Sequence, residues 1–186
     1  MLLAVIIIVA IVVILLIAVP AGLYNGLAKA RNQVDEAYST MDVYLKKRYD
    51  LIPNLVETVK GYAEHESATL AAVISARQSA MNAGTPADKL AGEAALSGAL
   101  KDLFAVAEAY PDLKASQNFN DLQNKLTRVE EDIANARKYY NATVRTFNNK
   151  IDTFPSNICA WMFHFDRRPY YEVASEAERQ NVRVSF

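Results

Sequence analysis

The chain has 186 residues and a formal net charge of −1, with one cysteine, six glycines and six prolines. A near-neutral balance excludes the global basic field that draws proteins to nucleic acid. The single Cys159 excludes an internal disulfide and a four-cysteine zinc site, and so few turn-forming residues leave helix as the main building material.

Residues 2–19, LLAVIIIVAIVVILLIAV, carry no charged or polar side chain. An apolar helix of about 18–20 residues, rising ~1.5 Å per residue, crosses a bilayer core. A cleaved signal peptide is the competing reading, with Ala18, Ala21 and Gly22 as small residues for a peptidase. The run is long and no Lys or Arg precedes it, which favours an uncleaved anchor. Lys29, Arg31, Lys46, Lys47 and Arg48 follow it. Positive charge on that side places the domain beyond the anchor in the cytoplasm and the amino terminus outside.

At the end of the span Ala18, Gly22, Gly26 and Ala30 recur every four residues and form one small-residue stripe on a helix. Such stripes let membrane helices approach closely, although small residues at this spacing also arise by chance. Pro20 lies inside the stripe and is able to bend the helix there.

From Leu27 to about residue 80, apolar residues follow helical spacing: Leu27, Val34, Tyr38, Met41, Leu45, Ile52, Leu55, Val59, Tyr62, Leu70 and Val73. The segment is too long for an ordinary globular helix, so it needs partners along its length or an interruption. Pro53 and Gly61 are the expected bend positions. Pro53 either bends a continuous helix or follows a fresh start capped by Asp50, at a position where no intrahelical donor is required.

Asn82-Ala83-Gly84 predicts a break. Thr85-Pro86-Ala87-Asp88 then reads as a helix start, with a threonine cap, proline at the first position and an acid in the first turn. Leu90, Ala94, Leu100, Phe104 and Ala107 lie on or near one face of that helix, and Tyr110-Pro111-Asp112 signals a loop. Phe119, Leu122, Leu126, Val129, Ile133, Ala136 and Tyr140 then alternate by three and four, a heptad seam. Val144, Phe147 and Ile151 continue it after a stutter, and Pro155 closes it. Antiparallel packing within one chain explains this seam better than a coiled coil between chains. Residues 158–165, ICAWMFHF, predict a short helix on the bundle end, followed by a turn at Asp166-Arg167-Arg168-Pro169. In the polar tail Val182, Val184 and Phe186 alternate, as in a docking peptide or a disordered end.

The fold expected is therefore all-α. A transmembrane anchor occupies residues 1–23, an antiparallel bundle of long helices residues 24–165, and a polar tail residues 166–186.

These stretches resemble the LemA family of bacterial membrane-anchored helical proteins. Tyr24-Asn25, Arg31-Asn32, AYSTMDVYLKKRYDLIPNLVETVKGYAEHE (37–66), Ala76-Arg77, YYNATVRTFNNKIDTFPSNICAWMFHF (139–165) and Tyr170-Tyr171-Glu172 carry the resemblance. Tyr38 stands where the family usually has tryptophan, and His164 where it usually has glycine. The resemblance implies an anchored antiparallel bundle in the bacterial plasma membrane and brings no catalytic residues with it.

Glu64-His65-Glu66 suggests a metal or acid–base cluster, but adjacent helical residues point about 100° apart and cannot converge on one ion. The zinc-helix spacing of two histidines at i and i+4 meets Thr69 and Gly61 instead. His164, the other histidine, lies far along the chain. Cys159 and His164 are five residues apart, off-face on a helix and without a third orienting group, so Cys159 reads as a buried apolar cysteine. No P-loop, GxSxG or Rossmann fingerprint occurs. The Lys46-Lys47-Arg48 triplet would stand about 40 Å beyond the bilayer on an upright helix, so it reads as a solvated face or an intersubunit ion pair.

No catalytic residue, metal or cofactor is expected. The partners expected are the lipid bilayer and further copies of the chain, with another membrane protein as an additional candidate and no nucleic acid. The leading function is a non-enzymatic membrane scaffold that self-associates through its stripe and its bundle. The alternatives are a tethered adaptor or regulator in envelope stress or protein quality control, and a metal-dependent hydrolase.

Overall fold

The apolar run at the amino end folds as a helix, and that helix does not stop where the run does. In the computed structural model, which describes residues 1–171 with the side chains of Pro86 and Ala87 excepted, α1 spans Leu2–Lys60 without interruption. It is followed by α2 (Ser67–Met81), α3 (Pro86–Glu108), α4 (Pro111–Ala115), α5 (Gln117–Asp152) and α6 (Ser156–Met162). Every regular element among the described residues is a helix. The alternating Val182, Val184 and Phe186 lie outside the described residues.

The chain divides into two compact units, and α1 and α5 each contribute residues to both. The first unit comprises Met1–Val43 and Ile133–Tyr170. Here α1 and α5 pack antiparallel: the Tyr38 and Tyr140 rings meet edge to face at 5.8 Å, and Lys150 Nζ donates to the Gly26 carbonyl at 3.2 Å. Leu27, Ala30, Val34, Ala37 and Met41 of α1 are buried, as are Ile133, Ala136, Tyr140, Val144 and Phe147 of α5. The seam read from sequence thus faces the chain's own interior.

The loop after α6 is held to the same unit. Asn148, 2% exposed, donates from Nδ2 to the Arg168 carbonyl and accepts the Arg168 N–H at Oδ1, both at 2.9 Å. Tyr140 Oη donates to the Pro169 carbonyl at 3.0 Å, and Arg168 pairs with Asp35 at 3.2 Å. Burial raises the Tyr140 phenol above its ordinary value, opposed by the Arg168 charge. Residues 166–170, read from sequence as the start of the tail, are therefore strapped onto α5.

The second unit comprises Tyr44–Asp132 together with Tyr171. Leu45, Ile52, Leu55, Val56 and Val59 of α1 are buried in it, with Leu70, Val73 and Ala80 of α2 and Leu96, Leu100 and Leu103 of α3. Helix α1 ends at Lys60 and a turn through Gly61 leads into α2, so the long amphipathic pattern is two helices. Tyr62, expected on the buried face, sits in that turn and is exposed. The Thr85 cap forms as expected: its Oγ1 accepts the Asp88 N–H at 3.1 Å, with Pro86 opening the helix. The Tyr110-Pro111-Asp112 loop signal instead opens α4, because proline at the first helical position loses no bond.

Helices α2 and α3 approach closely at Gly92, where an added Cβ would come 2.8 Å from the Ala80 Cα. No side chain fits there.

Candidate functional site

The buried positions along α1 include a row at 27, 30, 34, 37, 41, 45, 48, 52, 55 and 59, a three–four alternation with one stutter at 37–41–45, and Tyr49 and Val56 widen it. Position 48 of that seam is occupied by an arginine. Arg48 is only 2% exposed, and so is Glu93 on α3. A buried charge persists only if it is paired and hydrogen-bonded, and this pair meets the condition. Arg48 Nη1 donates to Glu93 Oε2 at 2.8 Å, and Nη2 donates to Ser97 Oγ at 2.8 Å. Tyr49 Oη donates to Glu93 Oε1. Glu130 Oε1 on α5 lies 2.9 Å from Arg48 Nε, off the N–H direction, as a charge partner rather than a hydrogen bond.

Burial first, then the Glu93 carboxylate, raise the Tyr49 phenol far above its ordinary value, so it stays neutral and donates. Both Glu93 oxygens and both terminal guanidinium nitrogens are thereby engaged, and with the Glu130 charge they join α1, α3 and α5. The expectation that Arg48 belongs to a solvated basic face or an intersubunit pair is corrected: Lys46 and Lys47 are exposed, but Arg48 points inward. A charged residue reads as polar in a hydrophobicity pattern. Its position three after Leu45 and four before Ile52 was the available signal.

Pro53 lies inside α1 with its ring exposed. A proline lacks the N–H that would reach the carbonyl four residues back, which here is that of Tyr49. Arg77 Nε on α2 donates to that carbonyl at 2.8 Å. Interior proline costs a helix about 3 kcal/mol, and a charge-assisted hydrogen bond returns roughly 1.5–3 kcal/mol. The helix therefore continues through Pro53, and Asp50 does not begin a new one. Residues 48 and 49 join α1 to three other helices.

Gly61, the second expected bend position, follows the last residue of α1, and an added Cβ there would meet only Thr58 and Glu57 backbone oxygens at 3.6 and 3.9 Å. Along the stripe, Ala18 and Gly22 are exposed, and Gly22 has open space for a side chain. Gly26 is partly covered by Lys150, and Ala30 is buried. Half of the stripe is engaged inside the chain.

His65 sits exposed in the turn after α1, not on a helix, and neighbouring Glu66 accepts from Tyr110 Oη at 3.3 Å. His164 follows α6 with φ +55°. Its N–H donates to the Trp161 carbonyl and the Phe165 N–H donates to the Ala160 carbonyl, at 3.4 and 2.9 Å. That pair of bonds is a Schellman ending, whose left-handed residue is usually glycine. The resemblance placed a usual glycine at this position, and the backbone gives the reason. Cys159 is buried, its Sγ 4.0 Å from the Pro20 carbonyl. Among the described residues no three His, Cys, Asp or Glu side chains gather as a metal site would require.

The LemA family profile matches residues 37–186. The chain belongs to the LemA family. The protein LemA of Metamycoplasma hominis is 28% identical over 171 residues, covering 90% of this chain and 76% of that protein. Magnetosome protein MamQ 2 of Paramagnetospirillum magneticum is 26% identical over 175 residues, and magnetosome protein MamQ of Magnetospirillum gryphiswaldense 24% identical over 174. Each of these two matches covers 80% of this chain and 64% of the relative, so the chain spans less than two thirds of the magnetosome proteins.

The matched region begins beyond the apolar run and includes the Arg48–Tyr49–Pro53–Arg77 group. Family membership and an apolar helix segment long enough to cross a bilayer describe this LemA family member as a membrane-associated helical protein.

Proposed function

We propose that this LemA family member is a non-enzymatic scaffold, fixed in the bacterial plasma membrane by residues 2–19, whose copies pack laterally through the exposed part of the stripe and through the helical domain. The observation that carries this reading is the use made of the buried charges. Arg48, Glu93 and Tyr49 hold α1, α3 and α5 together and are sealed from solvent, so groups that elsewhere do chemistry here impart rigidity. A rigid packing unit is what lateral assembly requires.

Two surfaces suit such packing. Ala18 and Gly22 leave one side of the anchor shallow. In the second unit, Ala68, Ala72 and Ala76 of α2 and Ala95, Gly98 and Ala99 of α3 line an open trough of about 590 Å³. Small side chains on both walls allow another helix to come close. The five Lys and Arg residues that follow the anchor favour a cytoplasmic domain.

Crosslinking tests the reading. Gly22→Cys in a Cys159→Ala background gives a disulfide between copies in membranes under mild oxidation. The same treatment of Ile17→Cys, which lies towards the other side of the helix, gives much less. Equal, slow crosslinking at both positions would indicate random collision and would remove the stripe from the interface.

A further inference from the structure

Helix α5 runs towards the membrane end of α1. Tyr140 faces Tyr38, Lys150 reaches the Gly26 carbonyl, and Cys159 of α6 reaches the Pro20 carbonyl, so each step forward along the carboxyl half is a step back along α1. Pro20 is the first residue beyond the apolar run 2–19. The run rises about 27 Å at 1.5 Å per residue, close to the ~30 Å of a bilayer core. Helix α6 therefore lies beside α1 at the depth where hydrocarbon gives way to headgroups.

Beyond Asn157, what α6 exposes there is apolar. Cys159 and Ala160 face inward and are buried, and Phe163 and Phe165 stack edge to face on Tyr24 at 4.9 and 5.6 Å. On the outer side Trp161 is 81% exposed, with Ile158 and Met162 more than half exposed. Their spacing confines these three to an arc of about 100° on the helix. Phe154, 80% exposed, stands in the turn just before it. In water these residues would form an unpartnered apolar patch. The helix that carries it is held at Pro20 and Tyr24, where the anchor's apolar run ends, so the patch stands beside a segment that already requires lipid. A tryptophan on a short amphipathic helix, with Arg31 held over the Phe165 ring at 5.4 Å just inside, is the composition of a membrane-interface contact.

We infer that α6 is a second membrane contact: Phe154, Ile158, Trp161 and Met162 enter the interfacial zone of the bilayer beside the anchor. One span alone leaves the attached domain free to swivel and tilt. Two contacts, at Pro20–Tyr24 and at α6, fix the first unit's azimuth and tilt against the membrane. The inference rests on the anchor spanning the bilayer and not on self-association.

Trp161 is the only tryptophan in the chain, so its fluorescence in the full-length protein reports on this face directly. In nanodiscs the emission is blue-shifted, is quenched by lipids brominated near the headgroup end of the acyl chain more than by lipids brominated near the tail, and resists aqueous iodide. Ile158→Asp with Met162→Asp reverses this, leaving Trp161 open to iodide and insensitive to brominated lipid. Wild-type emission quenched by iodide and untouched by brominated lipid overturns the inference. Blue-shifted emission insensitive to both quenchers overturns it too, because the occupant is then a second copy or another protein. Failure of the chain to co-elute with lipid would sink the anchor itself, whereas co-elution without bromine quenching removes α6 alone.

Discussion

Arg77 Nε lies 2.8 Å from the Tyr49 carbonyl, the acceptor that Pro53 leaves without its helical donor. One residue of α2 thus completes the hydrogen bonding of α1, and the proline becomes a docking point between helices. A coupling follows. Arg77→Ala destabilises the wild-type chain by about 1.5–3 kcal/mol. It costs distinctly less in a Pro53→Ala background, where the substituted residue supplies the missing backbone N–H. Denaturant titrations of the four proteins in one detergent give the double-mutant cycle. Equal effects of Arg77→Ala in both backgrounds would show that the contact does not answer the proline.

The Arg48–Glu93 pair makes a second prediction. Glu93→Ala strands a buried guanidinium and costs about 3–5 kcal/mol. Arg48→Met with Glu93→Leu removes both charges and keeps the volume, so the double variant regains most of that loss. Thermal unfolding of the two variants beside wild type checks it. A double variant no more stable than Glu93→Ala would mean that Tyr49, Ser97 or Glu130 carries the energy.

Gly92 and Gly98 lie on one helix and respond oppositely. At Gly92 a Cβ meets backbone atoms of Ala80, so Gly92→Ala pushes α2 from α3 and costs about 1–3 kcal/mol. At Gly98 nothing lies within 4 Å, and Gly98→Ala gains about 0.5–1 kcal/mol from helix propensity. Melting temperatures moving in the same direction for both would contradict the close contact.

His164 holds φ +55°, which a residue with a Cβ adopts at a cost of about 1–2 kcal/mol. His164→Gly is therefore stabilising by about 1 kcal/mol, read as a rise in the denaturation midpoint. Loss of stability instead would mean that the imidazole makes contacts worth more than the backbone strain.

Much of the fold was legible because it rests on periodicity and caps. The apolar run, the seam from Phe119 to Ile151, and the Thr85-Pro86 helix start each follow from local rules and appear where those rules place them. The Arg48 network was hidden because a charged residue in a seam counts as polar until its partner is known, and Glu93 is forty-five residues away. Gly92 carries no local mark distinguishing it from Gly98, since only the arrival of Ala80 makes it necessary. The role of Asn148 was invisible for the same reason: its partner is the Arg168 backbone, which any residue possesses. Pro53 marks a helix problem within the sequence, but Arg77 becomes its answer only in three dimensions.

Copy number in a native-like membrane tests the central claim most directly. Polymer-excised lipid particles holding the full chain, weighed by native mass spectrometry without detergent, contain several copies under the scaffold reading. Replacing Ala18 and Gly22 with isoleucine reduces that number while leaving helicity intact. Particles holding one chain each, in wild type as in the variant, would contradict it.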